Sequence, residues 1–144
     1  MHCMSDESAI TALVHSYALL LDGGEIDAVA ALFEHSTWRS DPDGPVLRGS
    51  KEVGPVYEKL KTHEGTPRTK HLLTNLTVNL DPGGSTASAH CYWTVLQNAE
   101  LLRTIEIILS GQYTDTFEKV GGTWRFTDRL IKVDFAGNAS AHVI

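Results

Sequence analysis

The sequence predicts an α+β domain in which a cone-shaped, curved antiparallel sheet wraps over three N-terminal helices. Three observations predict it. Apolar residues recur at helical spacing as far as Leu60, they alternate with their neighbours in long segments after Thr66-Pro67, and glycine-containing turns separate those segments. Helices first and strands afterwards is the order of an α+β domain, not of alternating units that build a parallel sheet.

From Ser5 onward, Ile10, Leu13, Val14, Tyr17, Ala18 and Leu21 fall on one face of a helix, and Asp6 and Glu7 suit its positive N-terminal end. Gly23-Gly24 stops that helix. Glu25 to Phe33 repeats the spacing with Ile26, Val29, Ala30 and Phe33, giving a short second helix. His35 to Ser40 reads as a strand, Asp41-Pro42-Asp43-Gly44 as a turn, and Val46 to Arg48 as a short strand. Ser50 is placed to cap a third helix carrying Val53, Val56, Tyr57 and Leu60, with Gly54-Pro55 weakening its first turns. Lys70 to Leu80 then alternates, with Leu72, Thr74, Leu76, Val78 and Leu80 on one face and His71, Leu73, Asn75, Thr77 and Asn79 on the other. Asp81-Pro82-Gly83-Gly84 turns the chain into a strand from Ser85 to Leu96. Ile105 to Val120 and Thr123 to Phe135 make a last hairpin around Gly121-Gly122.

A chain of 144 residues, 42% hydrophobic and 21% charged, fits one domain spanning 1–144, with residues 1–5 frayed and 137–144 as a tail. Twelve Lys plus Arg against 18 Asp plus Glu leave a formal charge of −6, which repels phosphate backbones and anionic lipid, so neither a nucleic-acid nor a membrane partner is expected. Lys51, Lys59 and Lys61 are interleaved with Glu52, Glu58 and Glu64 and read as a solvated face. No basic stretch is followed by an apolar core near Met1, so the expected location is cytoplasmic. Cys3 and Cys91 sit in unlike settings and make neither a disulfide framework nor a zinc site.

Two residues carry candidate chemistry. Asp22 falls in the final turn of the first helix, where the macrodipole disfavours a carboxylate, and Leu19-Leu20-Leu21 before it gives a partly apolar setting; a carboxylate there calls for a partner. His71 opens the first long strand, and a neutral imidazole takes a proton near pH 7 when a carboxylate on its other nitrogen fixes the tautomer. The remaining histidines show no His-x-His or His-x-x-x-His spacing, so no metal is expected. Gly83-Gly84 and Gly121-Gly122 precede strands rather than helices and form no phosphate-binding fingerprint, so no nucleotide cofactor is expected either.

Tyr17 to Asp22 closing the first helix, Ala31-Leu32-Phe33, His71-Leu72-Leu73-Thr74-Asn75-Leu76, and Gly111-Gln112-Tyr113-Thr114-Asp115 with Gly122-Thr123-Trp124-Arg125-Phe126 follow one another over most of the chain. In these strings and in its element order the sequence resembles the nuclear transport factor 2-like superfamily, in particular its SnoaL-like and scytalone-dehydratase-like branch. The resemblance implies that Asp22 and His71 form a dyad that removes a proton from carbon while a leaving group departs, as in the dehydratases and dehydrochlorinases of that branch. It also implies that Tyr17, like a tyrosine of bile-acid-dehydratase-like members, donates to a substrate oxygen. Tyr17 lies five residues before Asp22, about 140° around the helix, so the two side chains meet only in a distorted last turn. Arg129 is similar in place to an arginine near the leaving group of dehydrochlorinase-like members; its alternative is a surface cation beside Asp128. Asn75 either holds a substrate carbonyl or bonds within the sheet, and Trp38 and Tyr57 fill the core or line an apolar pocket.

The function expected from this is a cofactor-free lyase, with dehydration preferred, acting on a small, mostly apolar cyclic substrate. An isomerase of the ketosteroid-isomerase type stays open as an alternative. So does a non-catalytic role, as a ligand-binding module or a structural subunit similar to ring-hydroxylating dioxygenase β-subunits. A homodimer or homotrimer is expected, because Ala87, Cys91, Trp93 and Val95 occupy one face of a strand whose other face carries Tyr92 and Leu96.

Overall fold

The structure, a computed structural model, describes residues 4–99 and 104–143. Helix α1 (Asp6–Asp22) begins at Ser5, whose hydroxyl accepts the Ser8 N–H at 3.2 Å, and buries Ile10, Val14, Tyr17, Ala18 and Leu21. It ends at Gly23, and Gly24 follows at φ +77° so close to the loop before the sheet that a Cβ there would lie 2.8 Å from the Gly65 carbonyl. Helix α2 (Ile26–Ala31) packs on α3 (Gly49–Glu58). Ser50 does not cap α3: Arg48 holds the cap position, and Ser50 lies inside the helix, where its hydroxyl donates to the Glu34 carboxylate. The helix continues through Pro55 and turns Val53, Gly54 and Tyr57 inward.

The strands β1 (Thr37–Arg39), β2 (Leu47–Arg48), β3 (Thr69–Leu80), β4 (Thr86–Gln97), β5 (Glu106–Val120) and β6 (Thr123–Ala136) form one curved sheet in the order β2-β1-β6-β5-β4-β3. The four long strands make the expected antiparallel meander. The short β1 runs parallel to β6, a departure from the all-antiparallel expectation. Their pairing joins segments far apart in sequence, so the local pattern of neither strand reports it. The concave face carries Ala87, Ala89, Cys91, Trp93 and Val95 from β4, Tyr113 and Phe117 from β5, and Trp124 and Phe126 from β6, all packed with the helices into one core.

Two bulges decide which side chains face that core. In β3, Thr74 pairs with Tyr92 but Thr77 pairs with His90, so the strand carries an extra residue, and Asn75 takes φ +55°. Thr69, His71 and Leu73 point inward before the bulge, and Leu76 and Val78 after it. This corrects the unbroken alternation read from the sequence, which set His71, Asn75 and Thr77 on one face and Leu76 and Val78 on the other: the extra residue resets the phase, so that Leu76 and Val78 share the inward face with His71 while Asn75 and Thr77 are exposed. In β6, Phe126 pairs with Phe117 and Asp128 with Thr116, leaving Thr127 extra, so that Arg129 rather than Asp128 is buried.

Residues 137–143, expected as a tail, fold back over the end of the sheet. The Lys61 N–H donates to the His142 carbonyl at 3.0 Å, and His142 is 4% exposed. Of the two cysteines, Cys91 is buried on β4, with its thiol pushed up to about 11 by burial; Cys3 lies outside the described residues, as does most of the segment expected to fray. Among the described residues no helix is long and apolar enough to cross a membrane.

Candidate active site

Asp22 ends α1 with its carboxylate turned toward β3, and β3 meets it with three donors. The His71 N–H reaches Oδ2 at 2.8 Å, the Thr69 hydroxyl reaches Oδ1 at 2.7 Å, and His71 Nδ1 donates to Oδ1 at 2.6 Å. Burial alone would raise this carboxyl, but hydrogen bonds from the His71 ring, its charge, its N–H and Thr69 hold it below the usual range. The unfavourable place at a helix C-terminus is thus offset by donors from another element. With Nδ1 committed as donor, the neutral imidazole presents Nε2 as its acceptor, and among the described residues Nε2 has no hydrogen-bond partner. The His71 side chain is only 5% exposed.

One tyrosine ring flanks that imidazole, and a chain of polar tips leads away from it. The Tyr17 ring meets His71 edge to face at 6.4 Å, and its hydroxyl lies 2.7 Å from that of Tyr57, which accepts the Trp38 indole N–H at 3.0 Å. Trp38 donates to the Tyr57 hydroxyl; when Tyr57 in turn donates to Tyr17, the Tyr17 proton is left to a ligand oxygen. Burial pushes the Tyr17 phenol above its ordinary value of 10, against the pull of the Arg129 cation, so the donor stays protonated. The structure therefore brings together Asp22, His71, Tyr17, Tyr57 and Trp38. It does so without distorting α1: Tyr17 points into the core, Asp22 points to β3, and His71 spans the angle between them.

Arg129 and Asn75 sit elsewhere than expected. Arg129 is 0% exposed and pairs in bidentate fashion with Asp115, from Nε at 2.7 Å and Nη2 at 2.8 Å, so it is not a surface cation beside Asp128. Its guanidinium lies 4.4 Å from the Tyr17 ring centre and 3.9 Å from that of Tyr113, which makes it a pillar under Tyr17. Asp115 holds it protonated against the cost of burial. Asn75 is exposed at the bulge of β3.

Three participants escaped the sequence reading. Thr69 stands two residues before His71 on the same face, a spacing that signals a shared neighbour. Asp115, although within a quoted string, gave no sign of its partner 14 residues away. His142 sits in the segment read as a tail, yet its ring lies 6.4 Å from that of His71. Grooves of about 450 Å³ and 800 Å³ reach Asp22, the first past Thr66, Arg68 and Leu96 and the second between α1 and β3 past Leu19 and Leu73. Among the described residues no three His, Cys, Asp or Glu side chains converge as metal ligands do.

A family model described as a SnoaL-like domain matches residues 3–130. No curated relative matches the chain. Among solved structures, it is similar to an NTF2-like protein with a cystatin-like fold from Novosphingobium aromaticivorans, with 20% identity, TM-score 0.73, and 93% of this chain and 85% of that one covered. A candidate scytalone dehydratase from the same organism superposes at TM-score 0.73 with 23% identity over 92% of this chain and 87% of that one. ActVI-ORFA from Streptomyces coelicolor does so at TM-score 0.73 with 18% identity over 90% and 98%. At such identities these likenesses establish the fold: a curved, unclosed six-stranded sheet with N-terminal helices.

Proposed function

Since the chain belongs to the SnoaL-like domain family, we propose that it is a lyase that eliminates a small leaving group, water above all, from a small, mostly apolar cyclic carbonyl compound. One observation carries this reading: His71 Nδ1 is bound to Asp22 at 2.6 Å while Nε2, beside the Tyr17 ring, has no partner among the described residues. Nε2 takes a proton from the carbon next to the carbonyl. The electron pair moves toward the carbonyl oxygen, which accepts a hydrogen bond from Tyr17, and then returns to form the C=C bond as the bond from the β-carbon to its hydroxyl breaks; the departing hydroxide takes the proton back from His71 Nε2 and leaves as water. Asp22 stabilises the imidazolium that forms. Base, orienting carboxylate and donor all come from the chain, so the proposal needs no cofactor. We further propose a homodimer or homotrimer, supported by apolar side chains exposed on the outer face of the sheet, Ile107 and Phe135 being 65% and 75% exposed.

The test uses a simple probe, cyclohexanone in deuterium oxide, whose acidic C–H protons exchange when a base removes them. Wild-type protein is expected to catalyse the exchange, with His71→Ala reducing it by on the order of 10² to 10⁴-fold and Asp22→Asn by a similar factor. Undiminished exchange by a folded His71→Ala protein, checked by circular dichroism, would remove the dyad from the mechanism.

A further inference from the structure

The C-terminal segment is fastened by atoms that leave the His142 ring out. The Lys61 N–H donates to the His142 carbonyl at 3.0 Å and Lys61 Nζ to the Ser140 carbonyl at 2.7 Å. The Ala141 carbonyl accepts from His63 Nε2 at 2.7 Å and from Gln97 Nε2 at 3.2 Å. A side chain of any apolar kind would satisfy the same latch. The position instead carries an imidazole that is 4% exposed, whose buried Nδ1 has no hydrogen-bond partner among the described residues, and whose ring lies 6.4 Å from the ring of His71. A buried, unsatisfied polar atom is destabilising, and beside a base it marks a place where a bound molecule completes the bonding. Burial first, and then the charge of His71, pushes the imidazole down to about 4, so it is neutral at physiological pH and offers one donor and one acceptor rather than a charge.

We propose that His142 is a second imidazole of the site, which hydrogen-bonds an uncharged oxygen of the substrate, the β-hydroxyl that departs, while Tyr17 serves the carbonyl. The inference rests on the elimination reading above and gives it a substrate class: neutral cyclic hydroxyketones, not carboxylates or phosphates. The Asp22 carboxylate bound to His71 would repel an anion beside the base. Of the cations nearby, Arg129 is paired with Asp115 through Nε and Nη2, Arg68 is held by Asn98 and Glu64, and Lys70 lies exposed at the groove wall.

Two probes that differ by one hydroxyl, 3-hydroxycyclohexanone and cyclohexanone, separate the possibilities. In imidazole ¹⁵N NMR of the full chain, the His142 nitrogens are expected to shift on addition of the hydroxyketone and not of the ketone. In binding titrations the hydroxyl should favour the hydroxyketone by tenfold or more in wild type, and His142→Phe should abolish that advantage while His142→Asn keeps part of it. Removing an unsatisfied buried atom, His142→Phe should leave the melting temperature of the free protein unchanged or raised. A His142 resonance that ignores the hydroxyketone, a hydroxyl advantage that survives in His142→Phe, or a variant that loses both probes equally overturns the proposal. Failure of the elimination reading shows separately, as cyclohexanone exchange that persists in His71→Ala.

Discussion

At the scale of single residues, the site pairs polar groups from different elements and leaves His142 Nδ1 and Arg129 Nη1 without a partner among the described residues. Asp22 receives Thr69 and His71, Tyr57 receives Trp38, and Asp115 holds Arg129. Because Asp22 and His71 act as a unit, the double variant Asp22→Asn/His71→Ala is expected to exchange deuterium little more slowly than His71→Ala alone. The Arg129–Asp115 pair makes a different prediction. Both side chains are buried, so Asp115→Asn strands a cation and should lower unfolding free energy in urea by about 3–5 kcal/mol, with Arg129→Met in the same background restoring part of it. Stability should also carry the mark of His142. Its imidazole sits at about 4 against an ordinary 6.5, so between those pH values the unfolded chain binds a proton that the folded protein refuses. Stability therefore falls as pH drops from about 6.5 toward 4 and levels off below. Asp22, lowered from 3.8, loses its contribution only at more acid pH. His71, Asp22 and His63 face His142 and are common to both proteins, so the melting-temperature difference between wild type and His142→Phe isolates its titration across that window.

At the scale of elements, bulges and one glycine set the geometry. Gly111 lies on β5 opposite Trp93, and a Cβ there would stand 1.9 Å from the Lys132 carbonyl and 2.6 Å from the indole. Gly111→Ala is expected to cost at least the roughly 1–3 kcal/mol of an overpacked core, read as a lower urea midpoint. Asn75 holds the bulge that turns both His71 and Leu76 inward, at a left-handed φ of +55° that Asn tolerates and a β-branched residue does not. Asn75→Gly should keep both stability and deuterium exchange, whereas Asn75→Val should lose about 1–2 kcal/mol. If Asn75→Gly folds but loses exchange, a substrate contact at Asn75 is restored to consideration.

At the scale of the whole molecule, the helices pack on one face of the sheet, and Leu72, Tyr92, Ile107 and Phe135 stay exposed on the other. Leu72, Thr94, Ser110 and Phe135 pair across four strands in one row of that outer face, with Tyr92 and Ile107 near it. Burying such a row between copies removes apolar area from water at about 25 cal/mol per Å². Sedimentation at micromolar concentration should therefore give a mass above 15.8 kDa, and Phe135→Glu should reduce it toward the monomer. A monomer in the wild type would leave the exposed row without its proposed cover.

The sequence by itself determined the elements, because helix and strand are written in local periodicity and turns in local glycine. It also determined the family strings and the candidacy of Asp22 and His71, since a carboxylate at the wrong end of a helix dipole advertises a missing partner. Only the tertiary structure decided that the partner is His71 together with Thr69, that Arg129 belongs under Tyr17, and that the last residues return to cover the site. The reason is physical. A bulge adds one residue and reverses every face beyond it, yet it leaves the apolar pattern looking continuous, as it does between Thr74 and Thr77 and at Thr127. The β1–β6 pairing and the seating of His142 depend on contacts between segments distant in sequence, which no local pattern encodes.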